Sequence, residues 1–364
     1  MWRERHALRR ALWGSDDLRS IARIRGCDCW PVIRDELAGI ALLQWPWSAR
    51  AMDEAGAALD ALGPSAALTY AEAGGWGRAI VLECRRRGIP TAGLQHGFIY
   101  RHWLNYLHEP DEMAADPEHP ADAGFPHPSV TLLFDAYAAQ HLSSDGHFPK
   151  DTLRVTGSPR LDDLVRTTRG LSPDDVARAR TQAGAGVSDA LVIVTTKWKE
   201  AQQVLPAVLQ AAARLPGVHV AIKAHPAETP EAYRRAARGL PHVTVLPAAS
   251  PLAPLLAGSR AVITVNSTVA LDAAVLGVPS LVVGLPNNLS PFVAAGLMAG
   301  AGHGDPAGVL SRILYDEGFR QQLDAARRAS LARFQIQSDG QAAERSAEAV
   351  LQLVNGPAPR ESER

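Results

Sequence analysis

At 364 residues, with 46% apolar and 21% charged side chains and a formal net charge of −1, the chain reads as a globular protein of two ordinary domains, able to bury large cores. Near-neutrality excludes wholesale nucleic-acid binding through the overall field, so no nucleic-acid partner is expected and any anion site has to be local. Three cysteines, Cys27, Cys29 and Cys84, form neither an even disulfide set nor a repeated metal-ligand spacing, which makes a reducing cytoplasm the simplest compartment.

The chain opens on helices. Its start, MWRERHALRRALW, lacks the apolar core and small-residue cleavage site of a signal peptide, and no later run approaches the ~18 apolar residues of a membrane span. A cytoplasmic protein is expected. The basic start could make peripheral contact with the anionic inner face of a membrane, although a solvated helix face is the plainer reading. PVIRDELAGIALLQ and ARAMDEAGAALDAL carry apolar residues at three- and four-residue spacing, so residues 1–62 are predicted to be mainly helical. Strands begin after that. AALTY, the helix GGWGRAIVLECRRRG closed by Gly88, and IPTAGLQ form a strand-helix-strand unit, which demands a parallel sheet with a right-handed crossover. HEPDEMAADPEHPADAGFPHP reads as a long surface loop, SVTLLF and TLRVTG as strands around a short helix, and SPRLDDLVRTTRGLSPDD as a turn and helix leading out.

The second half repeats the plan. ALVIVTT, VHVAIKAHP, VTVLP, AVITVN and PSLVVG are strands alternating with helices. The predicted fold is therefore α/β, with two Rossmann-like doubly wound domains facing a cleft. The expected boundaries are an acceptor-side domain over 1–165, a donor domain over 166–340, and a C-terminal helix with a disordered tail over 341–364. Ligands in open α/β sheets bind at the carboxyl ends of the strands, so the function is sought there.

Four strand ends carry polar residues that a buried strand does not need. In Gln95-His96-Gly97, Gly97 permits a sharp turn or positive φ and His96 stands at the cleft mouth, where a neutral imidazole can take up a proton; a loop histidine bonded to a backbone carbonyl is the alternative. TTKWKE, with Lys197, places hydroxyls and lysines at a helix start that suits an anion. In IKAHP, Lys223 and His225 alternate along a strand stopped by Pro226 and are expected to meet one ligand, fitting phosphate oxygens. Asn266, Ser267 and Thr268 fall at another helix start. There, hydroxyls and free N–H groups can hold a phosphate, with Asp272 one turn on, within reach of sugar hydroxyls.

The order QHG, VTGSPRLD, VTTKWKE, IKAHP, NSTVALDAAVLGVP and SDGQAAERSAEAV resembles the bacterial surface-polysaccharide transferases of the two-Rossmann GT-B type. The nearest groups are the CDP-glycerol glycerophosphotransferases of teichoic-acid synthesis and the capsule-synthesis glycosyltransferases. The resemblance covers 68–353, and it implies His96 of the His-Gly motif as general base, His225 and its Pro226 at the donor phosphates, Ser267 and Thr268 as the phosphate grip, and Asp272 near the ribose. Two departures stand out: only helices precede Leu68, where the family opens on a strand, and the chain is neutral where the teichoic-acid enzymes are basic.

The expected function is transfer of a sugar or glycerophosphate from a nucleotide-activated sugar or CDP-glycerol to a hydroxyl of a glycan or lipid-linked acceptor. The acceptor is expected near Gln95, His96 and the loop starting at Arg101. No resident cofactor and no metal are called for, since no carboxylate cluster has metal spacing and the activated donor is itself a substrate. The alternatives are a UDP-sugar 2-epimerase, and a catalytically silent nucleotide-sugar-binding subunit.

Overall fold

The computed structural model describes residues 2–70, 72–99, 101, 103–114, 124–302 and 306–355; the tail expected after 355 and the middle of the acidic loop, 115–123, lie outside the described residues. Helices Trp2–Gly14, Asp16–Ile21, Trp30–Gly39 and Trp45–Leu62 fill the start. The last two join through a π turn at Ile40–Gln44, just ahead of Pro46. Proline has no N–H to give to the carbonyl one turn back, and the wider turn absorbs that break. One element was not expected: a two-residue hairpin pairs β1 (Arg23–Ile24) with β2 (Cys27–Asp28) across Arg25 and Gly26, both at positive φ.

The first sheet consists of β3 (Ala67–Tyr70), β4 (Thr91–Leu94), β5 (Val130–Leu133) and β6 (Leu153–Val155), all parallel and in chain order. Every crossover steps the same way, so this sheet keeps one arm of the doubly wound plan. One of its two edges is β3, where Leu68 and Tyr70 are exposed.

The second sheet has both arms. Its strands are β7 (Ala190–Thr196), β8 (Val218–Ala224), β9 (Val243–Leu246), β10 (Ala261–Thr264), β11 (Ser280–Val282) and β12 (Ala299–Gly300), in the order β12-β11-β10-β7-β8-β9. The chain winds outward from β7 to β9, returns, and winds outward again from β10. Alternate residues of β7 serve two cores: Val192 and Val194 pack with Leu205 and Ile222, while Leu191 and Ile193 pack with Leu255 and Val262. Burying each such side chain contributes roughly 1.5–3 kcal/mol, which is why a sheet covered on both faces reads as a continuous apolar run.

Between the sheets, the expected single helix is two, Pro159–Arg169 and Pro173–Gln182, each opened by a serine that accepts a backbone N–H. An aromatic cluster closes the domain junction. Phe98 and Tyr137 of the first domain meet Phe292 and Phe334 of the second at ring distances of 5.0 to 6.0 Å, and Ala136 N–H donates to Phe334 O at 2.7 Å. The last helix, Ala342–Asn355, crosses back to the first sheet, where Ala349, Val350 and Leu353 cover Ala92, Val130 and Leu132. Arg345 Nε anchors it on Thr156 O at 2.9 Å. No described helix is long and apolar enough to cross a membrane.

Candidate active site

The strand order of the second sheet reverses between β7 and β10, and at such a switch point the adjacent loops part to leave a crevice. Thr264 Oγ1 braces it, donating to Thr195 O at 2.5 Å and accepting Ser267 N–H at 3.1 Å. Thr195, Thr196, Lys197, His225, Asn266, Ser267 and Thr268 line this crevice from the second domain. His96, Gly97, Phe98 and Trp103 close it from the first, leaving a cleft of about 230 Å³.

His96 sits where the sequence places it, just beyond β4. Its ring lies edge-on to Tyr70 and Trp103 at 5.5 and 5.7 Å and makes no hydrogen bond among the described residues; Nδ1 is buried without a partner. The turn is tied by other groups. Burial holds the imidazole below its ordinary pKa, so the ring is neutral at pH 7 and can take up a proton. Gln95 is the tie: only 1% exposed, it donates from Nε2 to Gly97 O at 2.7 Å and accepts Phe134 N–H on Oε1 at 2.8 Å. This corrects its expected acceptor role, because both ends of the amide are spent on the loop.

Gly97 differs from expectation too. Its φ is not positive, and a Cβ there would meet nothing within 4 Å, since it would project into open space at the cleft wall. Gly97→Ala is therefore expected to keep its melting temperature within the equivalent of about 0.5 kcal/mol and to lose turnover by narrowing the cleft. A fallen melting temperature with normal turnover would show that the turn, not the cleft, needs the glycine.

On the donor side, the Ala227 N–H donates to His225 Nδ1 at 3.1 Å, which leaves the proton on Nε2 as a donor. Lys197 makes no ion pair among the described residues. Ser267 Oγ accepts Val269 N–H at 3.3 Å, while Thr268 Oγ1 makes no hydrogen bond there. Lys223 does not join this group. Its strand ends at Ala224, so the chain turns before His225 and the alternation no longer applies; the ammonium donates to Ala248 O at 2.9 Å instead. Pro226 lies beyond the strand end, outside the cleft. Neither helix start supplies much on its own. The Trp198 N–H that opens helix Trp198–Ala213 is already taken by the Glu228 carboxylate at 3.0 Å, and the helix after Thr268 runs only from Val269 to Val275. The cleft is thus built mainly from side chains.

Asp272 is corrected most. It is 1% exposed and receives both arms of Arg160, at 2.7 and 3.0 Å, from the helix that connects the two sheets. Burial pushes its carboxyl up and the Arg160 bridge pulls against that, so the carboxylate ties the connecting helix down and is not free for a ribose. Behind His96 a smaller recess runs past Arg160 and Asp272 to Asp135, a fully buried helix cap whose carboxyl burial raises to about 6. Arg101 lies outside the cleft, on two neighbouring cavities. Sequence reasoning missed Trp103, Glu200, Arg160 and Thr264 as site residues. Two of them had a signal: Trp103 is an aromatic in the run that follows His96, and Glu200 closes the TTKWKE motif. Among the described residues no group of three or more His, Cys, Asp or Glu side chains could hold a metal ion.

No family model and no curated protein matches the chain. Solved structures do. A UDP-GlcNAc 2-epimerase from Neisseria meningitidis bound to UDP-GlcNAc superposes with a TM-score of 0.62 at 17% identity, covering 84% of this chain and 81% of that one. MnaA of S. aureus with UDP gives 0.60 at 15%, covering 86% and 83%, and the wall teichoic acid polymerase TagF gives 0.51 at 14%, covering 74% and 69%. The fold is of the GT-B type. In GT-B terms, His96 stands on the first Rossmann-like domain, and Lys197, His225 and Ser267 face it from the second.

Proposed function

We propose that the chain is a transferase of cell-surface polysaccharide synthesis. It moves a sugar or glycerophosphate group from a nucleotide-activated donor to a hydroxyl of a glycan or lipid-linked acceptor, inside the cell. The observation that carries this reading is the neutral, unbonded His96 imidazole facing a set of cationic and hydroxyl donors across one cleft. The acceptor hydroxyl gives its proton to His96 as its oxygen attacks the anomeric carbon of a nucleotide sugar, or the glycerol-bearing phosphorus of CDP-glycerol. The bond to the nucleotide phosphate breaks, and that phosphate leaves into the hydrogen bonds of His225 Nε2, Lys197, Ser267 and Thr268. Positioning and electrostatic stabilisation of the leaving phosphate supply most of the acceleration.

A second reading, a UDP-sugar 2-epimerase, is favoured by the likeness to structures of that enzyme at TM-scores up to 0.62. Against it, the only carboxylate among the described residues lining the cleft is Glu200, which accepts from Thr196 Oγ1 at 3.3 Å. One experiment separates the two. A 2-epimerase has to break a C2–H bond, so UDP-GlcNAc in D₂O would gain deuterium at C2 without any acceptor; the transferase leaves that hydrogen in place. In the same preparation, calorimetry with UDP, CDP and GDP should show Lys197→Ala and His225→Ala each weakening nucleotide binding by about 1–3 kcal/mol with the fold intact. Unchanged affinity in both variants would remove the donor assignment, and tight binding without any turnover would favour a silent subunit.

A further inference from the structure

Three cavities run end to end along the domain junction. The central cleft shares Glu200 and Asn266 with a second cavity of about 480 Å³, and that one shares Arg101 and Pro291 with a third of about 410 Å³. The third lies between helix Ala136–Ser144 of the first domain and helices Ser290–Ala294 and Glu317–Arg333 of the second. A groove therefore leads from His96 along the junction, its three cavities adjoining through shared walls.

The far cavity is lined for an anion. Arg101 and Arg333 reach it from opposite domains, and neither forms an ion pair within 4 Å among the described residues; the Asp145 carboxylate shares the wall and feels the charge of Arg101, while Arg333 rests beside the Phe334 ring, 5.5 Å away. His141 lines the same wall. Its side chain is 4% exposed, its Nδ1 is held by Asp145 Oδ2 at 2.7 Å, and its Nε2 is buried without a partner. With Nδ1 bonded to the carboxylate, Nε2 is the ring nitrogen left to hydrogen-bond a ligand hydroxyl. Buried polar atoms are seldom left so, and two guanidiniums at one cavity match the oxygens of a phosphate. A glycerol or sugar phosphate carries both features, anionic oxygens and an adjacent hydroxyl.

We propose that this cavity binds a phosphate group borne by the acceptor, with Arg101 and Arg333 on its oxygens and His141 Nε2 on a neighbouring hydroxyl, so that the acceptor lies along the groove with its reactive end at His96. The acceptor assignment rests on the transferase reading, whereas the anion site itself does not. Its test follows the histidine side-chain resonances of the full chain at fixed pH and ionic strength, with His141 assigned through His141→Asn, or through Asp145→Asn should that variant not fold, and His225 through His225→Asn. With UDP already bound, sn-glycerol 3-phosphate is expected to move the His141 signal and leave His225 in place. Glycerol alone should move neither signal. Arg101→Gln combined with Arg333→Gln is expected to weaken this response about tenfold or more. A response confined to His225, or a double variant that binds like wild type, would overturn the site. Inorganic phosphate binding as tightly as glycerol phosphate would overturn its assignment to the acceptor. Failure of UDP to move His225 would instead strike the donor reading, and the His141 response would survive it.

Discussion

Replacing His96 with alanine is expected to lower turnover about 10²- to 10⁴-fold, because proton removal from the acceptor is then unassisted in the transition state. Nucleotide affinity should stay near wild type, since the donor contacts come from Lys197, His225, Ser267 and Thr268 on the other domain. The pH profile carries a second signature. Burial depresses the His96 pKa below 6.5, so the base stays neutral as pH falls through that value, and the acid limb of kcat/KM lies lower than an ordinary histidine would put it. The limb should vanish in the alanine variant. Stability has the same sign: the contribution of the uncharged ring is present above pH 6.5 and is lost as pH falls through the depressed pKa. Full turnover in the variant, with a lower melting temperature, would reduce His96 to a packing residue.

Arg160→Ala is expected to be the most destabilising single change at the site, by about 3 kcal/mol. It strands the Asp272 carboxylate where only 1% of the residue meets solvent, and the half-exposure of Arg160 keeps the loss below the upper range for buried pairs. Without the arginine the Asp272 pKa rises further above its unfolded value. The deficit should then be small below that unfolded value and grow as pH rises through the folded one. Denaturant unfolding at acid and neutral pH measures both. Arg160→Ala combined with Asp272→Asn should recover part of the loss, and a deficit equal at all pH values would mean that lost packing, not the stranded charge, is responsible.

What the sequence made legible was the alternation of short apolar runs with amphipathic helices. That pattern fixes a parallel sheet, and it places His96, Lys197, His225 and Ser267 at strand ends that do converge. It failed where the deciding contact is distant. Asp272 has the right spacing for a ribose, yet its partner Arg160 sits far away in the chain, on the helix that connects the two sheets. Lys223 and His225 share a side only if the strand continues, and β8 ends at Ala224, where its pairing with Thr196 at the end of β7 stops. The hairpin at Arg23–Asp28 escaped because two-residue strands carry no measurable period. The seam groove was invisible for a similar reason, since Arg101, His141 and Arg333 have nothing in common until the domains meet.

The return of helix Ala342–Asn355 to the first sheet orders the events of synthesis. Ala92 and Leu132 leave the ribosome early, but the residues that cover them, Ala349, Val350 and Leu353, emerge only after the whole second domain has been made. The nascent first domain therefore waits with an apolar face bare, and chaperones have something to hold. Its two halves of chain close around the later domain like a clasp, so the protein cannot mature from front to back as two independent beads would.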